Sequence, residues 1–257
     1  MTQRIAATDG TGLHVTVDGN GPPILMANSL GTDVRLWDGI IPSLEGYRVI
    51  RWDKRGHGNS EVPPPPYKMG TLVSDAEAVL DALSIKAAVV VGCSIGGMIA
   101  QGLAVKRPDQ VRAVVLSNTA VKMGTAQMWQ ERIDAVQAGG MEAVVDAVLD
   151  RWFAPRFPDR ALWRQRLLET PAEGYAGCCA ALAGADLLTP TSGLRLPALC
   201  VAGDRDGASP PDMVRELADL IPGSRFHLIR GSGHLPMVDA PDAFANALTD
   251  FLTAIGH

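Results

Sequence analysis

Residues 87–97 read Ala87-Ala88-Val89-Val90-Val91-Gly92-Cys93-Ser94-Ile95-Gly96-Gly97. The opening run is apolar without a break and rich in β-branched residues, as in a strand covered on both faces. Residues 94–106 then have helical composition and stop at Arg107-Pro108, because a proline turns the preceding residue away from the helical region. A buried strand therefore passes into a helix through Gly92-x-Ser94-x-Gly96. A turn this tight needs glycine where a Cβ would clash. It lifts the Ser94 hydroxyl to the end of the strand, at a helix N-terminus whose free N–H groups favour developing negative charge. In this strand–turn–helix setting, Ser94 reads as a nucleophile. A phosphate-binding glycine turn or a plain tight turn is the competing reading of the same glycines.

Outward from this turn, strands and helices alternate. Residues 13–17, Pro23–Ala27, 47–52, Val111–Ser117, 198–202 and Arg225–Ile229 read as strands. Residues 71–83 set Leu72, Val73, Ala76, Val79, Leu80 and Leu83 on one helical face. Pro211–Leu220 carries Met213, Val214, Leu217 and Leu220 in the same way, and Pro241 opens a last helix striped with Phe244, Leu248, Phe251, Leu252 and Ile255. This alternation predicts an α/β fold with a mostly parallel central sheet flanked by helices. Residues 121–190 break the pattern. They hold helical segments near 126–138, 141–152, 161–168 and 175–183, punctuated by Gly139-Gly140, Pro155, Pro158 and Pro171. The expected organisation is a core in two parts, 1–120 and 191–257, split by an inserted helical cap over 121–190.

Composition narrows the function classes. With 257 residues, the chain is long enough to bury roughly 70–75% of its unfolded surface without disulfides or metal. Its 23 Lys and Arg against 28 Asp and Glu give a net charge of -5, which argues against nucleic-acid binding. Cys93, Cys178, Cys179 and Cys200 form no CxxC pair and have no histidine at ligand spacing, so no metal site is expected. No apolar run approaches the ~20 residues of a membrane span, and the N-terminus lacks a signal-peptide pattern. The cytoplasm is the expected location.

A serine hydroxyl needs a base, and the base needs an acid to fix its tautomer. Of five histidines, His234 lies in Gly231-Ser232-Gly233-His234, a loop after the last strand, where α/β sheets build sites. The acid is sought after the strand at 198–202, in Gly203-Asp204-Arg205-Asp206-Gly207. Asp206, further out in the loop, is preferred to Asp204, which is assigned to capping the turn or pairing with Arg205. Two N–H donors should receive the oxyanion: Ile95, directly after Ser94, and Leu30, in Asn28-Ser29-Leu30-Gly31 after Pro23–Ala27. The set describes acyl transfer without metal or organic cofactor.

Several stretches resemble one family. Asn28-Ser29-Leu30-Gly31-Thr32-Asp33 with Trp37, residues 51–58 (Arg-Trp-Asp-Lys-Arg-Gly-His-Gly), Asn118-Thr119-Ala120 and Gly174-Tyr175-Ala176-Gly177-Cys178-Cys179 are similar to the 3-oxoadipate enol-lactonases, members of the α/β-hydrolase fold. The resemblance runs over essentially the whole chain. It departs from the family's habit at Cys93, Ile95 and Gly207, none of them a reacting group. It implies hydrolysis of 3-oxoadipate enol-lactone, in the β-ketoadipate branch of aromatic degradation, by Ser94, Asp206 and His234. A carboxylesterase or lactonase for another small ester, or a non-catalytic ligand receptor on the same fold, are the alternatives. The implied substrate is a small anionic lactone or ester whose carboxylate needs a local cation. Arg132 and Arg151 in the cap are candidates, with Trp129 and Trp152 beside them. His57 and Asp53 are expected to order the neighbouring loop, and the cap to act as a lid.

Overall fold

The structure is a computed structural model and describes residues 1–257. Its strands are β1 (Thr2–Ala6), β2 (Gly12–Asp18), β3 (Pro23–Ala27), β4 (Arg48–Trp52), β5 (Ala88–Cys93), β6 (Val111–Ser117), β7 (Ala198–Gly203) and β8 (Arg225–Ile229). They form one sheet in the order β1-β2-β4-β3-β5-β6-β7-β8. The β1–β2 and β2–β4 pairs are antiparallel; every later pair is parallel. The apolar run at 88–93 explains the centre: every β5 residue is buried, with Val90 level with Leu25 of β3 and Val114 of β6. From β3 the chain moves outward to β4, then crosses back to β5 and on to the other edge. The order reverses between β3 and β5, so the loops leaving their carboxyl ends diverge and open a crevice. Those loops carry Leu30 and Ser94.

Helices α1 (Met69–Ala82) and α2 (Ile95–Lys106) pack together, and α2 lies against β3, β5 and β6. Between β6 and β7 come α3 (Ala126–Gly139), α4 (Val145–Trp152), α5 (Arg160–Leu168), α6 (Ala172–Ala183) and α7 (Leu188–Ser192). Helix α8 (Pro211–Leu220) covers β7 and β8, and α9 (Pro236–Asp239) packs on α10 (Pro241–Ala254).

One expectation needs correction. The single helix over 141–152 is a 3-10 turn, Met141–Ala143, followed by α4; Val144 between them leaves helical geometry at φ -124°. Strand β1 is not foreseen because its edge position buries only Ile5, so no alternation shows. Helices α7 and α9 are too short to display a period.

The helical insertion is not loosely hung. One hydrophobic core includes Val90 and Leu116 of the sheet together with Trp152, Leu167 and Tyr175 of the insertion. Two backbone bonds tie the end of α4 to the sheet's loops: Gly207 N–H to the Arg151 carbonyl (3.1 Å) and His234 N–H to the Trp152 carbonyl (2.8 Å). Gly56 and Gly174 pack backbone to backbone, and a Cβ on either would strike the other. That contact joins the Arg-Gly-His-Gly loop to the start of α6.

Candidate active site

Ser94 sits between the end of β5 and the start of α2 with φ +58° and ψ -121°. A non-glycine residue adopts this only when its surroundings over-determine it. Here the Ser94 N–H donates to the Ser117 carbonyl (3.0 Å), and Thr119 Oγ1 donates to the Ser94 carbonyl (2.7 Å). A Cβ on Gly92 would strike the Gly96 backbone, and one on Gly96 the Ala27 carbonyl. The two glycines thus let the turn close on itself and seat against β3. In this rotamer the Ser94 hydroxyl points at Met123 Sδ, 4.0 Å away.

The loops after β7 and β8 bring Asp206 to His234. Asp206 Oδ2 lies 2.8 Å from His234 Nδ1 and accepts from Asn118 Nδ2 (2.8 Å) and Ser209 Oγ (2.7 Å). Its Oδ1 accepts the N–H groups of Ala208 (2.7 Å) and Ser209 (3.0 Å). Burial alone would raise this carboxyl, but His234 and these donors hold it below its ordinary value. With Nδ1 donating to Asp206, Nε2 is left free to accept a proton. Asp204 is engaged elsewhere: its Oδ1 accepts the Gly231 N–H (2.7 Å) and closes the turn after β8, without pairing to Arg205. Asn118 and Ser209 are missed by sequence reasoning; the positive φ of Asn118 (49°) is the backbone feature that aims it.

Across the crevice, the Leu30 and Ile95 N–H groups have no acceptor within the protein. The loop carrying Leu30 is pinned from beneath. Asn28 Nδ2 donates to the Trp52 carbonyl (2.8 Å), and its Oδ1 accepts from Trp37 Nε1 (2.6 Å). His57 Nε2 accepts the Gly31 N–H (3.0 Å), which places the ring proton on Nδ1. Burial first, then the Lys54 charge, holds His57 neutral. Asp53 accepts from the N–H groups of Val34 and Asn59. His57 and Asp53 therefore order this loop and do not reach Ser94. Cys93 faces the His234 carbonyl, and burial pushes its thiol well up.

Ser94, His234, Leu30 and Ser29 line a cavity of about 150 Å³ roofed by the insertion. Arg132 of α3 and Arg151 and Trp152 of α4 line it, together with Trp129, Met123 and Tyr175. Arg132 lies 4.9 Å over the Trp129 ring, whose Nε1 is already donated to the Met123 carbonyl. Elsewhere in the insertion, Arg160 pairs with Asp150 and Arg164 with Glu142 and Asp146, while Arg166 lies over the Trp163 ring, away from this cavity. Arg132 and Arg151 form no ion pair. Burial first, then Arg132, lowers the Arg151 pKa, so the roof holds excess positive charge. A second cavity, about 350 Å³, is lined by Asp33, Arg35 and Glu169, which already pair with one another. No cluster of three or more His, Cys, Asp or Glu converges as a metal site. No helix is long and apolar enough to cross a membrane.

Residues 22–163 match the alpha/beta hydrolase fold family. The chain belongs to it. It is 35% identical to 3-oxoadipate enol-lactonase 2 of Acinetobacter baylyi over 88% of this chain and 87% of the relative. It is 33% identical to enol-lactonase 1 of the same organism, over 98% and 97%. The crystal structure of the enol-lactonase from Burkholderia xenovorans LB400 superposes with a TM-score of 0.94 at 37% identity, covering 98% of this chain and all of that one. This α/β-hydrolase is a carboxylic ester hydrolase acting on lactone or ester substrates.

Proposed function

We propose that the protein opens 3-oxoadipate enol-lactone to 3-oxoadipate, with Ser94 as nucleophile, His234 as base and Asp206 as its orienting acid. Ser94 Oγ attacks the ring carbonyl and gives its proton to His234 Nε2. The Leu30 and Ile95 N–H groups receive the oxyanion. The ring C–O bond breaks, the enol oxygen takes the proton from His234, and the opened chain stays esterified to Ser94. Water, deprotonated by His234, then releases the acid and regenerates the serine. The enol is a better leaving group than an alkoxide, and its ketonisation makes opening effectively irreversible.

The observation that carries the substrate reading is the placement of Arg132 and Arg151. Two unpaired guanidiniums face a small cavity in a protein of net charge -5. A neutral ester gives them nothing to do; a lactone with a free carboxylate pairs them. The test is kcat/KM for 3-oxoadipate enol-lactone against p-nitrophenyl acetate. The lactone should be preferred by orders of magnitude. Equal rates would leave a general esterase, and no turnover of either would leave a ligand receptor.

A further inference from the structure

We infer that Lys54 is a positioning residue for the oxyanion hole, its ammonium fixing and polarising the one peptide unit that presents the Leu30 N–H. The inference rests on the reading of Leu30 as an oxyanion donor. Lys54 lies in the loop after β4 and is 2% exposed. Its Nζ donates to the Ser29 carbonyl (2.6 Å) and to the Thr32 carbonyl (3.2 Å). The Ser29 carbonyl and the Leu30 N–H are opposite ends of one planar amide. A cation bonded to the oxygen draws electron density from the nitrogen, so the N–H becomes a stronger donor, and its direction is fixed with the plane. Thr32 Oγ1 (2.9 Å) and Thr32 N–H (3.3 Å) donate to the same oxygen, reinforcing both effects.

The surroundings single out the charge. Lys54 makes no ion pair. The groups acting on it are Asp53, Asp33, Cys178, Cys93 and His57. Asp53 is spent on the Val34 and Asn59 N–H groups, and Asp33 on Arg35. Burial pushes the Cys178 thiol up to about 12 and Cys93 well up, so both stay neutral, as does His57. A buried cation without a carboxylate partner destabilises the fold. Two loop carbonyls could be capped by a neutral donor at lower cost; an ammonium is warranted where its field does something. That field falls on the only peptide that links Lys54 to the cavity.

The test uses purified enzyme, p-nitrophenyl acetate and an aliphatic trifluoromethyl ketone that forms a tetrahedral adduct on serine. Lys54→Met should lower kcat about tenfold to thirtyfold with KM nearly unchanged, since a donor is weakened rather than removed. Ketone affinity should fall by the same factor. A merely structural role would lower Tm while kcat and ketone affinity per folded molecule stay at wild type, and that result overturns the inference. Burial lowers Lys54 to about 8, so the effect is present below pH 8 and lost as pH rises through it. Wild-type kcat should therefore fall through about pH 8, and Lys54→Met should lack that limb. If Lys54→Met fails to fold, Lys54→Gln, which can still donate to the Ser29 carbonyl without a charge, carries the same test: wild-type kcat and ketone affinity in Lys54→Gln overturn the inference. Ser94→Ala separates the two readings: activity retained there sinks the serine mechanism, whereas a dead Ser94→Ala beside a normal Lys54→Met sinks only the role of Lys54.

Discussion

The floor and the roof of the cavity are built by opposite rules. On the floor, the sheet's loops leave almost nothing unpaired. Asp206 accepts from four neighbouring residues, and His57, Asn28 and Lys54 each pin the Leu30 loop. Among the few groups left free there are His234 Nε2, the Leu30 and Ile95 N–H groups and the Ser29 hydroxyl. The roof is mainly apolar, with Trp129, Trp152, Met123 and Tyr175, and it leaves two guanidiniums without counter-ions. A satisfied network holds reacting atoms in one geometry, while an unsatisfied charge waits for a ligand. On the proposed reaction, the difference would give chemistry to the floor and choice of substrate to the roof.

If that division is right, floor substitutions should cost every substrate alike. Ser94→Ala carries the largest effect: kcat should fall by about 10⁴ to 10⁶ for lactone and aryl ester equally, with an unchanged circular dichroism spectrum. Asp206→Asn follows at about 10³ to 10⁴, because an amide at that position favours the wrong histidine tautomer. A substitution here that spared one substrate would break the comparison.

Roof substitutions should discriminate. Arg132→Ala with Arg151→Ala should lower kcat/KM for the anionic lactone about a hundredfold, the loss of two charge-assisted contacts at ~1.5 kcal/mol each. p-Nitrophenyl acetate should change by less than about threefold. Steady-state kinetics on both substrates at two salt concentrations checks this. A similar fall for both would mean that the arginines hold the roof in place. The backbone bond from Gly207 to the Arg151 carbonyl makes Arg151 the more firmly placed of the two.

The same division explains what the sequence disclosed. The β5–turn–α2 unit is local: an apolar run, two glycines and a helical face determine it within twenty residues. His234 and Asp206 follow from chain order, because loops at strand ends are ordered as the strands are. The choice between Asp206 and Asp204 has its physical cause in the pairing of β7 with β8, which hands Asp204 to the Gly231 N–H. Roof contacts are hidden more deeply. Helical periodicity says which side of α6 is apolar, not what it meets, so Tyr175 enters the site unannounced, and Met123 lies in the loop before α3, where no period applies. Lys54 is hidden for another reason: a lysine in a polar loop reads as a solvated charge, and only its burial reverses that.

The finest test of the floor is Asn118→Ala. Asn118 Nδ2 donates to Asp206 Oδ2 (2.8 Å) and to the Gly233 carbonyl (3.2 Å), so one amide braces both the acid and the loop that carries the base. Asp206 would keep Ser209 Oγ and two backbone N–H groups, so its ionised form should survive. The loss should amount to about one hydrogen bond, ~1 kcal/mol, or about fivefold in kcat. It should be the same for the lactone and for the neutral ester, with the two KM values unmoved. A loss confined to the lactone would place Asn118 in substrate recognition, and the line between floor and roof would then have to run through the loop after β6.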